Sequence, residues 1–258
     1  MEVRGSKLKI GYESRIVVPE LDICINKKHI TTIIGPNGSG KSTVLKALTR
    51  LLKYSGGAVH INGKDLQTLP AGILAQYVGV LPQRHSAPPD FTVRDLVGYG
   101  RTPYQKWYQQ NSPEDEAVVE WALRMTGAWE LRDKSVMACS GGESQRVWIA
   151  VVLAQKPEIL FLDEPTTYLD ISYQLELMRL VKKLNRESSI GVVMVLHDLS
   201  QAMEVSDRII VIKDGMKYAE GTPEEVITAK MLEDVYQVKG RLVHLAGRKK
   251  PVLVFDEI

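Results

Sequence analysis

The chain has 258 residues, of which 44% are apolar and 25% charged, with 33 Lys+Arg against 31 Asp+Glu for a net charge of +2. These are the proportions of an ordinary globular domain, so intrinsic disorder is excluded, and the length suits one large α/β domain or two small ones. No apolar run approaches the ~20 residues of a membrane helix; Ile190 to Leu196, seven residues, reads as a buried strand. A near-zero net charge gives no prior for nucleic acid.

Residues 7–34 read as strand-rich. Leu8 to Tyr12 and Leu21 to Ile25 alternate apolar and polar positions, the period of a half-buried strand. Ile30 to Ile34 is a more apolar strand ending at Gly35, and a helix is expected from about Lys41 to Leu52. Ala58 to Ile61 and the Asn62-Gly63 turn add further β signal. Val78 to Pro82 is another strand, and Arg84 to Asp90 a breaker-rich linker.

A mainly helical insertion is placed at about 88–138, between core segments 1–87 and 139–258. Its helix, Pro113 to Met125, is entered through Ser112 as cap, a first-position proline, then Glu114 and Asp115, acids favoured by the helix dipole. Tyr99, Tyr104, Trp107, Tyr108, Trp121 and Trp129 gather here. Strands then alternate with helices: Glu158 to Leu162, Ile171 to Leu184, Gly191 to Leu196, Leu199 to Val205, and Arg208 to Lys213. That order argues for a parallel sheet covered on both faces. The tail from Arg241 to Phe255 reads as two short strands around the turn at Gly247 to Lys250.

Cys24 and Cys139 lack the short spacings of zinc or redox sites. Together with a start that has no charged-then-apolar leader, they lead to the expectation of a cytosolic protein that meets any membrane through a partner.

Gly35, Pro36, Asn37, Gly38, Ser39, Gly40, Lys41 and Ser42 fit the phosphate-binding loop G-x-x-x-x-G-K-[ST]. Its glycines let the backbone wrap phosphate oxygens and the next helix presents its positive end. Lys41 would reach the β/γ-phosphates of ATP, and the Ser42 hydroxyl would ligate Mg²⁺. Asp163 and Glu164 close an apolar strand at its carboxyl end. There Asp163 can help hold Mg²⁺, and Glu164 can orient or deprotonate an attacking water. His197 ends another such strand and is a candidate for contact with the γ-phosphate or that water. Gln83 closes a third, where its amide could sense the metal or the water. Ser140, Gly141 and Gly142 precede a helix from Glu143 to Gln155; they read equally as a phosphate-binding turn or as a serine cap.

Taken in order, the set resembles the ATP-binding cassette (ABC) family over essentially the whole chain. The Walker A loop runs from Gly35 to Thr43, Gln83 falls at the Q-loop, Leu160 to Glu164 at Walker B, and His197 at the switch histidine. The resemblance implies a P-loop NTPase core with a mainly parallel sheet, an N-terminal antiparallel β subdomain and a helical insertion. It also implies an ATPase working as a homodimer, in which Ser140 to Gly142 contact ATP bound by the opposite subunit. Asp170 falls at the D-loop linking the two sites, and Tyr12 where an aromatic stacks on adenine. Cys139 and Glu143 depart from the family's L-S-G-G-Q signature, and Glu143 adds a negative charge beside the site.

A single cassette without a membrane span looks like the ATPase subunit of a bacterial importer at the cytoplasmic face of the membrane. Its partners would be integral-membrane permease subunits and, indirectly, an extracytoplasmic substrate-binding protein, with no nucleic acid. Asp163 to Ile171 and Tyr99 to Gln105 look like the iron-siderophore and vitamin B12 importer group, and Thr167-Tyr168 leans toward ferric siderophores. Heme, cobalamin or another metal chelate is the alternative cargo, and a non-transport cassette the remaining reading.

Overall fold

The computed structural model describes residues 1–13, 15–83, 85–105, 112–167, 169–248 and 250–256. Trp107, Tyr108, Tyr168, Arg84 and Lys249, which entered the sequence reading, lie outside the described residues. The chain divides into two compact units, one of residues 1–68 with 191–258 and the other of 69–190. No helix among the described residues is long and apolar enough to cross a membrane.

The first unit carries an antiparallel sheet in the order Arg15–Val18, Glu2–Tyr12, Tyr54–Ile61, Lys64–Asp65, with Ile23–Asn26 also paired to Glu2–Tyr12. It also holds parallel strands: Ile30–Ile34 lies between Arg208–Lys213 and Gly191–Val195. Met216–Gly221 adds antiparallel to Arg208–Lys213 through a turn at Asp214 and Gly215, both at positive φ (49° and 75°). Every residue of Ile30–Ile34 and Gly191–Val195 is buried, as strands covered on both faces require. The tail forms the expected hairpin, Gly240–Val243 against Val252–Phe255.

In the second unit, Val78–Leu81 runs parallel to the fully buried Ile159–Asp163. Its main helices are Ala71–Tyr77, Val93–Gly98, Pro113–Met125, Gly141–Ala154 and Ile171–Ser188. The Ser112 cap is present as a full capping box with Asp115. Buried Arg101 fixes the turn Tyr99–Tyr104: its Nε donates to Asp115 Oδ1 and its Nη1 to the Ala154 carbonyl, each at 2.8 Å.

Several boundaries differ from the sequence reading. The first strand begins at Glu2, not Leu8, because Val3 and Gly5 fall out of phase with Leu8 and Ile10. Lys7 at φ 48° makes a bulge that shifts the register between Ser6 and Lys9, which interrupts the alternation. The helix after the phosphate loop stops at Leu48, not Leu52. Arg50 turns left-handed (φ 62°), and the amides of Leu51 and Leu52 both fold back onto the Lys46 carbonyl. This stop uses no glycine, so composition does not announce it. The helix from Ile171 runs four residues past Leu184 to Ser188, on a turn without further apolar positions.

Candidate functional site

Three elements of the first unit hold the phosphate loop. Gly35, at φ 152°, packs so tightly on the Ile212 carbonyl that a Cβ there would lie 2.0 Å from its oxygen. The Gly215 amide donates to the Ser39 carbonyl at 3.0 Å. Methyls of Val18 and Val17 lie 3.2 and 3.3 Å from where a Cβ on Gly40 would begin. Val18 belongs to the strand paired with Glu2–Tyr12, so the exposed ring of Tyr12 ends a strand whose neighbour touches the loop.

The loop is arranged for an anion. Gly38 and Gly40 are left-handed (φ 78° and 101°), and no side chain caps the helix Lys41–Leu48 that follows. Lys41 Nζ donates to the carbonyls of Gly35 and Pro36 at 2.9 and 2.8 Å, so the ammonium sits inside the loop, on acceptors that a phosphate oxygen could replace. The Ser39 hydroxyl oxygen is buried without a hydrogen-bond partner among the described residues. A buried hydroxyl in that state costs free energy that a ligand oxygen would relieve. Pro36 and Asn37 complete the loop, while Ser42 and Thr43 open the helix. His197 also belongs to this unit; it is exposed, just beyond the strand Gly191–Val195. Its neighbour Asp198 is occupied as a cap, accepting from the Ser200 and Gln201 amides at 2.7 and 3.0 Å.

The second unit carries the other predicted residues. Asp163 is buried at the end of its strand, and Glu164 turns left-handed at φ 52°. Such a backbone is uncommon for a residue with a side chain and persists where its surroundings enforce it. Here the Gln83 amide donates to Glu164 Oε2 at 2.7 Å, and the Thr167 hydroxyl reaches the same oxygen at 3.3 Å. The sequence reading placed Gln83 and Glu164 each at the end of a strand; in the structure the two strands pair and the side chains are bonded.

Ser140 is a helix cap in this state. Its hydroxyl accepts from the Glu143 amide at 3.4 Å, while Glu143 Oε2 accepts from the Ser140 amide at 2.8 Å. Lys134 Nζ donates to that same oxygen at 2.9 Å. The Lys134 bond first, then the Ser140 amide, hold the Glu143 carboxyl at about 2. The negative charge expected from Glu143 is therefore locally compensated by Lys134, nine positions upstream, which pattern reading does not pair with it.

The two signature glycines differ. A Cβ on Gly142 would lie 2.4 Å from ring atoms of Tyr173, whereas Gly141 faces open space. Tyr173 stands on the helix capped by Asp170, whose Oδ1 accepts from the Tyr173 amide at 3.1 Å. Gln145 Nε2 donates to the Pro165 carbonyl at 3.1 Å, joining the signature helix to the residue after Glu164. Lys134, Gln145 and Tyr173 escaped sequence reasoning because each acts through tertiary packing.

Known proteins resemble this chain in sequence and fold. The profile of the ABC transporter family matches residues 18–167. The chain is 44% identical over 253 residues to the iron(3+)-hydroxamate import ATP-binding protein FhuC of Bacillus subtilis (strain 168), covering 98% of this chain and 94% of that one. It is 42% identical over 252 residues to the ferric enterobactin transport ATP-binding protein FepC of Escherichia coli (strain K12), covering 98% and 93%. Among solved structures, the dimeric ATP-binding cassette MJ0796 bound to ADP and Pi superposes with a TM-score of 0.74 at 29% identity, over 86% of this chain and 98% of that one. The ADP conformation of MJ1267 superposes at 0.81 with 24% identity over 92% and 99%, a likeness of fold. With a phosphate loop, a braced Walker B glutamate and relatives along nearly its whole length, the chain belongs to the ABC transporter family and is an ATP-binding cassette ATPase.

Proposed function

We propose that this chain energises ferric-siderophore uptake, as the ATP-hydrolysing subunit of a bacterial importer whose membrane permease is a separate protein. The observation that carries the enzymatic part is the bracing of Glu164 by Gln83 and Thr167, which supports its carboxylate in the role of general base. The cargo rests on likeness to relatives named for ferric hydroxamate and enterobactin.

In this reading ATP lies on residues 35–43 with adenine stacked on Tyr12. Lys41 exchanges its two carbonyls for phosphate oxygens, and Ser39 gains a partner. Ser42 and Asp163 offer hydroxyl and carboxylate oxygens, a donor set suited to Mg²⁺. Gln83 would join them in holding Mg²⁺, which would supply positive charge against the phosphates. Glu164 takes the proton of the attacking water, and His197 contacts the γ-phosphate. Little beyond such positioning and charge stabilisation is needed for phosphoryl transfer.

Two copies would sandwich two ATP molecules, each copy offering Ser140, Gly141 and Gly142 to its partner's nucleotide, with Asp170 linking the sites. Ser140 then leaves its capping role for the phosphate. The insertion at about 88–138 would face the permease, placing the chain at the cytoplasmic side of the membrane; an extracytoplasmic binding protein would deliver cargo.

The test is co-purification with the permease and reconstitution in liposomes. ATP-dependent uptake of ferric hydroxamates or catecholates, with cobalamin and heme inert, is expected. Uptake of cobalamin or heme alone would replace the cargo assignment, and absence of ATPase activity in the assembled transporter would refute the enzymatic one.

A further inference from the structure

Beyond the residues that touch phosphate, the loop depends on a hairpin, and the hairpin depends on the chain's C-terminal part. The turn at Asp214 and Gly215 meets the loop twice, through the Gly215 amide on the Ser39 carbonyl and the Ile212 carbonyl against Gly35. The same hairpin is tied from its other side to a π-helical turn, Leu232–Tyr236. Lys213 Nζ donates to the Asp234 carbonyl at 2.8 Å, and the Tyr218 hydroxyl donates to Asp234 Oδ2 at 2.6 Å. Buried Leu232 and Val235 anchor the turn, and Gln237 closes it in a left-handed conformation (φ 58°). The phenol of Tyr236 lies close to the Gly35 backbone, and burial pushes it above the ordinary range.

We propose that Asp234 is a positioning residue for ATP binding, acting through Lys213 and Tyr218 on the hairpin that holds the phosphate loop. The reason lies in what changes when phosphate arrives. Before binding, Lys41 itself spans Gly35 and Pro36 and so holds the loop closed. Once its ammonium turns to the ligand, those internal ties are released and the three glycines leave the loop free to take other shapes. The contacts at Ser39 and Gly35 then keep the amides aimed at the ligand. Their geometry is set by the hairpin, braced at Asp234. The inference rests on the phosphate loop being the nucleotide site.

The test uses the full-length chain and a fluorescent ATP analogue, trinitrophenyl-ATP, followed by steady-state ATPase assays of the chain assembled with its permease. Tyr218→Phe removes one exposed oxygen and Asp234→Ala removes its acceptor. Each should weaken analogue binding by about two- to tenfold, the effect of one hydrogen bond. KM for ATP should rise by the same factor with kcat little changed. Asp234→Asn keeps an acceptor and should restore affinity. Wild-type affinity in both Tyr218→Phe and Asp234→Ala would overturn the proposal, as would a lower melting temperature with affinity intact. Lys41→Ala separates the two readings. If it abolishes binding while the Asp234 and Tyr218 variants bind normally, only the positioning role fails; if it binds normally, the phosphate-loop assignment fails first.

Discussion

The side-chain amide of Gln83 donates to Oε2 of Glu164 at 2.7 Å, bonding the end of one parallel strand to the residue that follows the next. Gln83 is exposed and opens a breaker-rich segment, so whatever moves that segment also pulls on the proposed base. Glu164→Gln should keep ATP binding and lose about 10²–10⁴ in turnover, the usual worth of a general base. Gln83→Ala removes one hydrogen bond to a carboxylate and should cost about ten- to a hundredfold in kcat with ATP affinity preserved. Steady-state ATPase assays beside nucleotide titration read both. Normal turnover in Glu164→Gln would end its assignment as base.

Lys134 and Glu143 should behave as one unit. Lys134→Met leaves a carboxylate uncompensated beside the serine proposed to meet phosphate, and ATPase activity should fall. Adding Glu143→Gln removes that charge while keeping the capping-box geometry, so the double variant should recover. Equal activity in Lys134→Met and wild type would show that the pair has no bearing on hydrolysis.

The same pair sets a pH signature. Glu143 titrates at about 2 in the folded chain, below its ordinary value of 4.5. A depressed carboxyl contributes stability that is fully present above the unfolded value and fades as pH falls through the folded one. The difference in denaturant midpoint between wild type and Glu143→Gln should therefore stay level from about pH 8 to about pH 5 and shrink at lower pH. A difference that drifts between pH 8 and 6 would contradict this origin.

Gly141 and Gly142 separate packing from ligand approach. Gly142→Ala must displace the Tyr173 ring and should destabilise the chain by about 1–3 kcal/mol. Gly141→Ala adds a methyl to open space at the first position of a helix, where alanine is favoured, and stability should hold or rise. Its ATPase activity should nonetheless fall if, as proposed, the partner's nucleotide fills that space. Thermal melts and ATPase assays on both variants decide it.

Buried Arg101 gives a structural counterpart. Arg101→Met strands the carboxylate of Asp115, 10% exposed, and frees the Ala154 carbonyl at the end of the signature helix. A loss of about 3–5 kcal/mol is expected in denaturant unfolding.

What could be read from the sequence follows from which constraints are local. The phosphate loop is legible because left-handed backbone at Gly38 and Gly40 demands glycine at fixed spacing. Asp163 and Glu164 are legible because an all-apolar strand must end in something polar where it leaves the core. The stop of the helix at Leu48 is not, since Arg50 takes a conformation that glycine would have announced. Nor is the edge strand Met216–Gly221, half exposed and without alternation, although its hairpin grips the loop. Tyr173 shows the limit most plainly. Its ring explains Gly142, yet the two are thirty-one positions apart and meet only when two helices pack.

Lys41, resting on two carbonyls of its own loop, also sets a threshold for what can bind. The ammonium already has two short hydrogen bonds, so an arriving anion competes with the protein and not merely with water. A monovalent ion has fewer oxygens to offer in their place. A polyphosphate can satisfy the lysine, the Ser39 hydroxyl and the helix amides in one event. If the loop is the phosphate site, as proposed, it acts as its own competitor, and a long phosphate chain is favoured before any base is recognised.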